Sequence, residues 1–261
     1  MIAWWPGDGN ANDLRGLGNG TLQSGAAYAT GKVGQAFSFN GASARVTTSN
    51  TTLNSAYAAM TMDAWVYPVS HGQSSGYGLT VLSKTDGDGF ALLINNGYIQ
   101  PVLRLTTSGE IKPVFNQSTQ WQLPLNSWSH IAVTWDGALV KAYLNGQVLG
   151  SGVAATGTIR NTANANVCLM LGNEPTAPCN VESGYGFNGR LDEIEVFERA
   201  LSAAEVQAIV AADSAGKCKT SGGDITHMLP IGRTMRPRSK QCRSTRLAIS
   251  PSSSVLSGPI F

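Results

Sequence analysis

The chain is short of charge, histidine and cysteine, and each shortage excludes something. Only 13% of its 261 residues are Asp, Glu, Lys or Arg, and 30 are Gly. Turns are therefore frequent, and the surface is richer in Asn, Ser and Thr than in Lys and Glu, a composition that suits a β sandwich. The three histidines, His71, His130 and His227, stand far apart. No His-Glu-x-x-His, Gly-x-Ser-x-Gly or phosphate-loop motif occurs, so the common zinc-protease, serine-hydrolase and nucleotide signatures are absent. The four cysteines, Cys168, Cys179, Cys218 and Cys242, contain no Cys-x-x-Cys and hence no zinc spacing. No apolar run approaches the roughly 18 residues of a membrane-spanning helix. Met1-Ile-Ala-Trp-Trp-Pro6 has neither the basic nor the apolar region of a signal peptide.

What is present is strand and turn. Residues 128–150 read as three short strands joined at Asp136-Gly137 and Asn145-Gly146, dipeptides that adopt positive φ cheaply, as two-residue hairpin turns require. A meander of this kind predicts an antiparallel sheet. Met60–Tyr67 alternates so that Met60, Met62, Ala64 and Val66 share one face and Thr61, Asp63, Trp65 and Tyr67 the other. Large groups on both faces predict a central strand of one of two packed sheets. Further strands are expected over 34–41, 44–48, 78–84, 89–95, 98–105, 110–115, 167–172 and 186–197. One helix is expected over 201–212, where Ser202 and Glu205 form a capping box and Leu201 and Val206 a hydrophobic staple.

The character changes after Gly216. Residues 217–261 hold eight Lys/Arg and one acid, a net +7, whereas residues 1–216 hold ten Lys/Arg and fifteen acids, a net −5. The basic segment is rich in Ser, Arg and Pro and loses alternation. Such a stretch cannot bury enough apolar area to offset its ordering entropy, so residues 1–216 are read as one domain and 217–261 as a low-order tail. Phe261 is the tail's only aromatic, which argues against a nucleic-acid surface.

Six separated blocks carry a family resemblance. They are Ala3-Trp-Trp-Pro-Gly-Asp-Gly-Asn-Ala-Asn-Asp13, Gly31-Lys-Val-Gly-Gln-Ala-Phe-Ser-Phe-Asn-Gly41, Met62-Asp-Ala-Trp-Val66, Trp128-Ser-His-Ile-Ala-Val-Thr-Trp-Asp-Gly137, Tyr143-Leu-Asn-Gly146 and Phe187–Ser202. In this order they resemble the laminin-G-like jelly-roll domains of bacterial exported proteins, a group also called concanavalin A-like lectin/glucanase. The resemblance implies a two-sheet antiparallel jelly-roll sandwich, a non-catalytic, monomeric module that recognises a glycan or an extracellular protein, and often one calcium ion. It places the chain outside the cell or at its surface, as a fragment of an exported protein.

Four sets of residues could carry that function. Asp8, Asn10, Asn12 and Asp13 offer hard oxygen ligands within one loop, and the resemblance brings Asp192 beside them, a set suited to Ca²⁺. The loop is no EF-hand, since Asp13 stands where that loop needs Gly and Asn19 where it needs Glu. Asx-turns are the competing reading. Glu193, Glu195 and Glu198 resemble the Glu-Ile-Asp-x-x-Glu signature of jelly-roll glucanases, whose chemistry needs a carboxyl pair. The middle residue here is Glu, and an acidic outer face with Ile194 and Val196 inward is the alternative. Tyr77, Tyr98, Trp121 and Tyr185 fall in loops or strand ends with Asn95, Asn96 and Asn116 close in sequence, a set suited to stacking on sugar rings and bonding their hydroxyls. Trp65, Trp128 and Trp135 are assigned to the core. Cys168 and Cys179 either pair, as fits an exported domain, or remain two thiols.

Overall fold

The computed structural model describes residues 1–49, 51–72, 78–161 and 166–217. In chain order the strands are β1 (Ala3–Trp5), β2 (Thr21–Gln23), β3 (Ala27–Thr30), β4 (Gln35–Asn40), β5 (Arg45–Thr47) and β6 (Met60–Pro68). There follow β7 (Leu79–Thr85), β8 (Gly89–Asn95), β9 (Tyr98–Leu105), β10 (Gly109–Ile111), β11 (Ser129–Trp135) and β12 (Leu139–Leu144). The last are β13 (Gln147–Val148), β14 (Val153–Ala154), β15 (Met170–Leu171), β16 (Pro175–Thr176), β17 (Asn180–Val181) and β18 (Asn188–Phe197), before the helix α1 (Ala203–Ala212).

These strands build two large antiparallel sheets. The first runs β13-β12-β11-β6-β18-β4-β3, with β1 added on β18 and β14 on β12; the second runs β10-β9-β8-β7-β15-β5-β2. As the alternation predicts, β6 is central, flanked by β11 and β18. Its Met60, Met62, Ala64 and Val66 enter the interior with Val133, Trp135, Phe37 and Ile194 of the same sheet and Leu82, Phe90, Leu92 and Leu103 of the other. This continuous apolar layer between two sheets is the jelly-roll sandwich, and its burial is the main stabilising term.

The meander turns differ from each other. Asn145 and Gly146 both take positive φ, 48° and 80°, as a two-residue turn requires. At the other turn only Gly137 does so, at 90°. There Asp136 Oδ1 instead accepts the N–H groups of Ala138 and Leu139, and these bonds hold the Asp136 carboxyl below its usual range.

The helix begins as expected. Ser202 and Glu205 form the reciprocal capping box, and Leu201, Val206 and Ile209 pack on Phe197, Ala132 and Tyr143 of the first sheet's outer face. Arg199 donates to both Glu205 oxygens, which is the main reason that the Glu205 pKa falls to about 2. The chain divides at Gly216 into two units. Cys218, Cys242, His227 and all of the expected tail beyond Lys217 lie outside the described residues.

Candidate functional site

The acidic final strand lies beneath the surface. A register shift between Asp192 and Glu195 marks a bulge in β18, with Glu193 at φ 50°. The extra residue lets Leu191 and Ile194 both point inward. Glu193 is 5% exposed and Glu195 is fully buried. The outer face of the strand is acidic, with Ile194 and Val196 inward as that reading expects, but Glu193 and Glu195 are covered there and of the three glutamates only Glu198 is exposed. Glu193 Oε2 accepts the Trp4 indole N–H at 2.9 Å. A glycosidase carboxyl must reach the scissile bond, and neither buried carboxyl is open to a polysaccharide.

Beside them on the same outer face, His130 Nε2 lies 3.1 Å from Asp63 Oδ2, both buried. Trp65 meets the His130 ring edge-on and carries the Lys32 ammonium 4.5 Å from its ring centroid. Trp65 is thus buried on the outer face of the sheet rather than between the sheets. Trp128 is half-buried against Tyr67, and Trp135 alone of the three is in the central core. His71, in its loop, bonds the carbonyl of Leu123.

The expected calcium ligands serve the backbone. Asp13 is buried; its Oδ1 accepts the N–H groups of Trp4 and Arg15, and its Oδ2 those of Leu17 and Gly18, at 2.8–3.1 Å. Four donors occupy the acceptor positions of one carboxylate. Asn10 Oδ1 accepts the Asn12 N–H, an Asx-turn. Asp8 Oδ1 accepts Gln35 N–H, and Asp192 Oδ2 accepts Val33 N–H. Both therefore fasten the β3–β4 turn, where a Cβ on Gly31 would come within 2.6 Å of Asp192 Oδ2. Among the described residues no group of three His, Cys, Asp or Glu is arranged to hold a metal. Of the expected set, Asp13 has no acceptor position left for a cation in this arrangement.

The outer face of the second sheet is different in kind. Cross-strand partners share a face, and the register sets Tyr98 opposite Asn95, Gln100 opposite Leu93 and Val102 opposite Ala91. Ser83 lies opposite Ala91, and Glu110 opposite Arg104. Tyr185 packs against Ala91, Leu93 and Val102. The face thus joins two partly exposed aromatics, Tyr98 and Tyr185, to the amides of Asn95 and Gln100, which bond each other at 3.1 Å, over a small apolar floor. Trp121 stands apart, packed against the central core. Tyr77 lies outside the described residues. Asn96 contributes a carbonyl to Gln122.

At the far end of that face β16 packs on β7. Cys168 and Cys179 form a disulfide, Cα–Cα 5.1 Å, and the turn between β16 and β17 is held by Asp86, which accepts Ala177 N–H. Glu174, half-buried, lies by Ser83, Thr85 and Arg104. Burial raises its pKa to about 7, against the opposing pull of the Ser83 and Thr85 hydroxyls and the Arg104 guanidinium. Glu174 Oε2, Ser83 Oγ and Arg104 Nε are all shielded from solvent. Sequence reading missed Gln100, Arg104, Ser83 and Glu174. The period-two alternation of 98–105 held the signal for Gln100 and Arg104. Glu174 reaches the face through a fold-back of the chain that no local pattern encodes.

Comparisons with known proteins agree with this architecture. A laminin-G-type family model described as the concanavalin A-like lectin/glucanases superfamily matches residues 40–207. Domain 4 of AbnA, an extracellular arabinanase from Geobacillus stearothermophilus solved with arabinotriose, is 21% identical with a TM-score of 0.58, covering 79% of this chain and 96% of that one. The ligand binding domain of botulinum neurotoxin serotype D, solved with N-acetylneuraminic acid, is 16% identical with a TM-score of 0.59, covering 81% and 50%. The binding domain of Paraclostridial Mosquitocidal Protein 1 is 16% identical, also at 0.59, covering 80% and 51%. The chain thus spans about half the length of the toxin domains and nearly all of the arabinanase domain. At these identities the likeness is one of fold. No curated protein sequence matches.

Proposed function

The chain belongs to the concanavalin A-like lectin/glucanases superfamily, and on that premise we propose that it is a non-catalytic, extracellular carbohydrate-recognition module acting as a monomer. The observation that carries this reading is the outer face of the second sheet, where Tyr98, Asn95, Gln100 and Tyr185 meet over an apolar floor. Aromatic rings present apolar faces for sugar rings, and a few convergent polar groups orient a ligand. Burial of Glu193 and Glu195 favours binding over hydrolysis. The disulfide suits an oxidising compartment. The arabinanase and toxin neighbours, solved with arabinotriose and N-acetylneuraminic acid, make a glycan the first ligand class to test. Calcium has no part in this reading. A glycan array probed with the full chain, with and without EDTA, tests it: binding to a defined oligosaccharide in both conditions is expected, and no binding to any glycan would refute it.

A further inference from the structure

Independently of the face on the second sheet, we propose that the outer face of the first sheet carries another ligand site, in which Arg190 takes the carboxylate of an acidic sugar, a uronate or a sialate, beside the rings of Tyr67 and Trp128. These residues stand in one row across the strands. The register sets Tyr67 of β6 opposite Arg190 of β18, and Arg190 opposite Ser38 of β4. Ser129 lies opposite Val66, so Trp128, one residue earlier, comes beside Tyr67. Val66, Leu191 and Phe37, next along their strands, belong to the central core, so the row faces outward. The helix α1 packs at the other end of this face, on Phe197, Ala132 and Tyr143, and Tyr67, Trp128 and Arg190 are each partly exposed.

Arg190 is a cation held in place with donors to spare. Its guanidinium lies over the Tyr67 ring, 5.0 Å from the centroid, and one N–H donates to the Thr30 carbonyl at 3.1 Å. A guanidinium carries five N–H groups, and among the described residues no carboxylate pairs with this one. The next acid along the strand, Asp192, is wholly buried and accepts the Val33 N–H. Lys32, over the neighbouring Trp65 ring, is paired with Asp213. Two contacts therefore fix the Arg190 fork, and its remaining N–H groups can meet a carboxylate through two parallel bonds. An orientation set in advance lowers the entropy lost on binding.

The surface around the cation is apolar. Trp128 meets Tyr67 edge-on, with ring centroids 5.5 Å apart. The row from Trp128 to Arg190 crosses three strands, about 10 Å at the usual strand spacing, which suits one sugar ring with its carboxylate. Of five large apolar side chains exposed among the described residues, two, Val69 and Leu125, lie at this end of the sheet. There Val69 N–H donates to the Asn188 carbonyl and Asn126 N–H to that of Pro68. A small inorganic anion would use only the guanidinium. A carboxylate borne on a sugar uses the rings as well, since aromatic side chains combine apolar contact area with polar tips.

The experiment is isothermal titration of the full chain with trigalacturonic acid, with sialyllactose and with acetate, on the parent, Arg190→Ala and Arg190→Lys. Binding of one of the two carboxylated sugars to the parent is expected, and which one binds tells uronate from sialate. Both variants should weaken it at least about tenfold, the loss of a hydrogen-bonded charge. Arg190→Lys is the decisive variant, because it keeps the charge and loses the fork. Attraction to the seven Lys/Arg of residues 218–261 depends on charge alone and would survive it. The same trisaccharide with its carboxyl groups reduced to alcohols should not bind here. Undiminished affinity in folded Arg190→Lys, equal binding of the reduced sugar, or acetate binding as tightly as the sugar would each overturn the proposal. Failure of both carboxylated sugars to bind would also overturn it. Binding of a neutral oligosaccharide by the parent, unchanged in Arg190→Ala, would in that case leave the second-sheet reading standing.

Discussion

Trp4 and Glu193 are joined across 189 positions of sequence by one hydrogen bond, 2.9 Å from indole Nε1 to carboxylate Oε2. The bond ties the first strand to the bulge of the last, in a register that pairs Trp4 with Glu195. Glu193 holds a positive φ there, a conformation that costs a non-glycine residue about 1–2 kcal/mol. Its side-chain bond to a fully buried indole offsets that cost. Glu193→Ala removes this bond from a buried indole N–H, so a loss of about 1–3 kcal/mol is expected. Glu193→Gln keeps an acceptor and should lose less. Urea unfolding of both variants measures this, and equal stability of the two would show that the bond is not what fixes the bulge.

Asp13 is a backbone anchor. Its carboxylate receives four N–H groups, and Asp13→Ala strands them. A loss of at least about 3 kcal/mol is expected, or roughly 10 °C in thermal midpoint for a domain of this size. The midpoint of the parent should be the same in CaCl₂ and in EDTA. A fall in EDTA, matched by calcium in elemental analysis, would restore the ion to this loop.

Lys84 makes stability rise on the alkaline side. It is fully buried, and its ammonium donates to the Val167 carbonyl at 2.7 Å. Desolvation lowers its pKa from 10.5 to about 8. Between those values the unfolded chain binds more protons than the folded one, so stability increases with pH. The gain should be clear from pH 8 to about 10; beyond that Tyr28 and Tyr57, raised by burial, act in the opposite direction. Lys84→Met should flatten the rise. Midpoints that do not change from pH 8 to 10 in the parent would count against a buried ammonium.

Glu174 has the opposite sign on the acid side. With its folded pKa raised from 4.5 to about 7, the folded state holds the proton longer. Its contribution is therefore complete below pH 4.5 and lost as pH rises toward 7. Glu174→Gln should stabilise the protein at pH 7 relative to pH 5 when each is compared with the parent. A difference of the reverse sign would mean that the carboxyl is stabilised as an anion.

Much of the sandwich was readable because alternation and turn chemistry are local. The two-faced pattern of Met60–Tyr67 requires packing on both sides and found it. Asn145-Gly146 and the Ser202/Glu205 box each act within four residues. Carboxylates were less legible, since Asp, Asn and Glu fit metal shells, turns and buried anchors equally well in one dimension. Asp13 chose backbone donors from residues 4 to 18 and Glu193 an indole near the chain's start. The sheet face was half-legible: Tyr98 and Asn95 are cross-strand partners around a short hairpin, whereas Glu174 and Tyr185 arrive from 76 and 87 residues beyond Tyr98. Trp121, equally aromatic and equally close to a loop, packs partly buried against the core because the turn at 119–121 folds it there.

The central claim is that a glycan lies on the outer face of the second sheet, and Tyr98→Ala tests it most directly. The side chain is partly exposed, so the variant should fold as the parent does by circular dichroism. Its affinity for the oligosaccharide chosen from the array should fall at least tenfold, about 1.4 kcal/mol, in isothermal titration. Undiminished affinity in a folded Tyr98→Ala protein would place the glycan elsewhere and contradict the account.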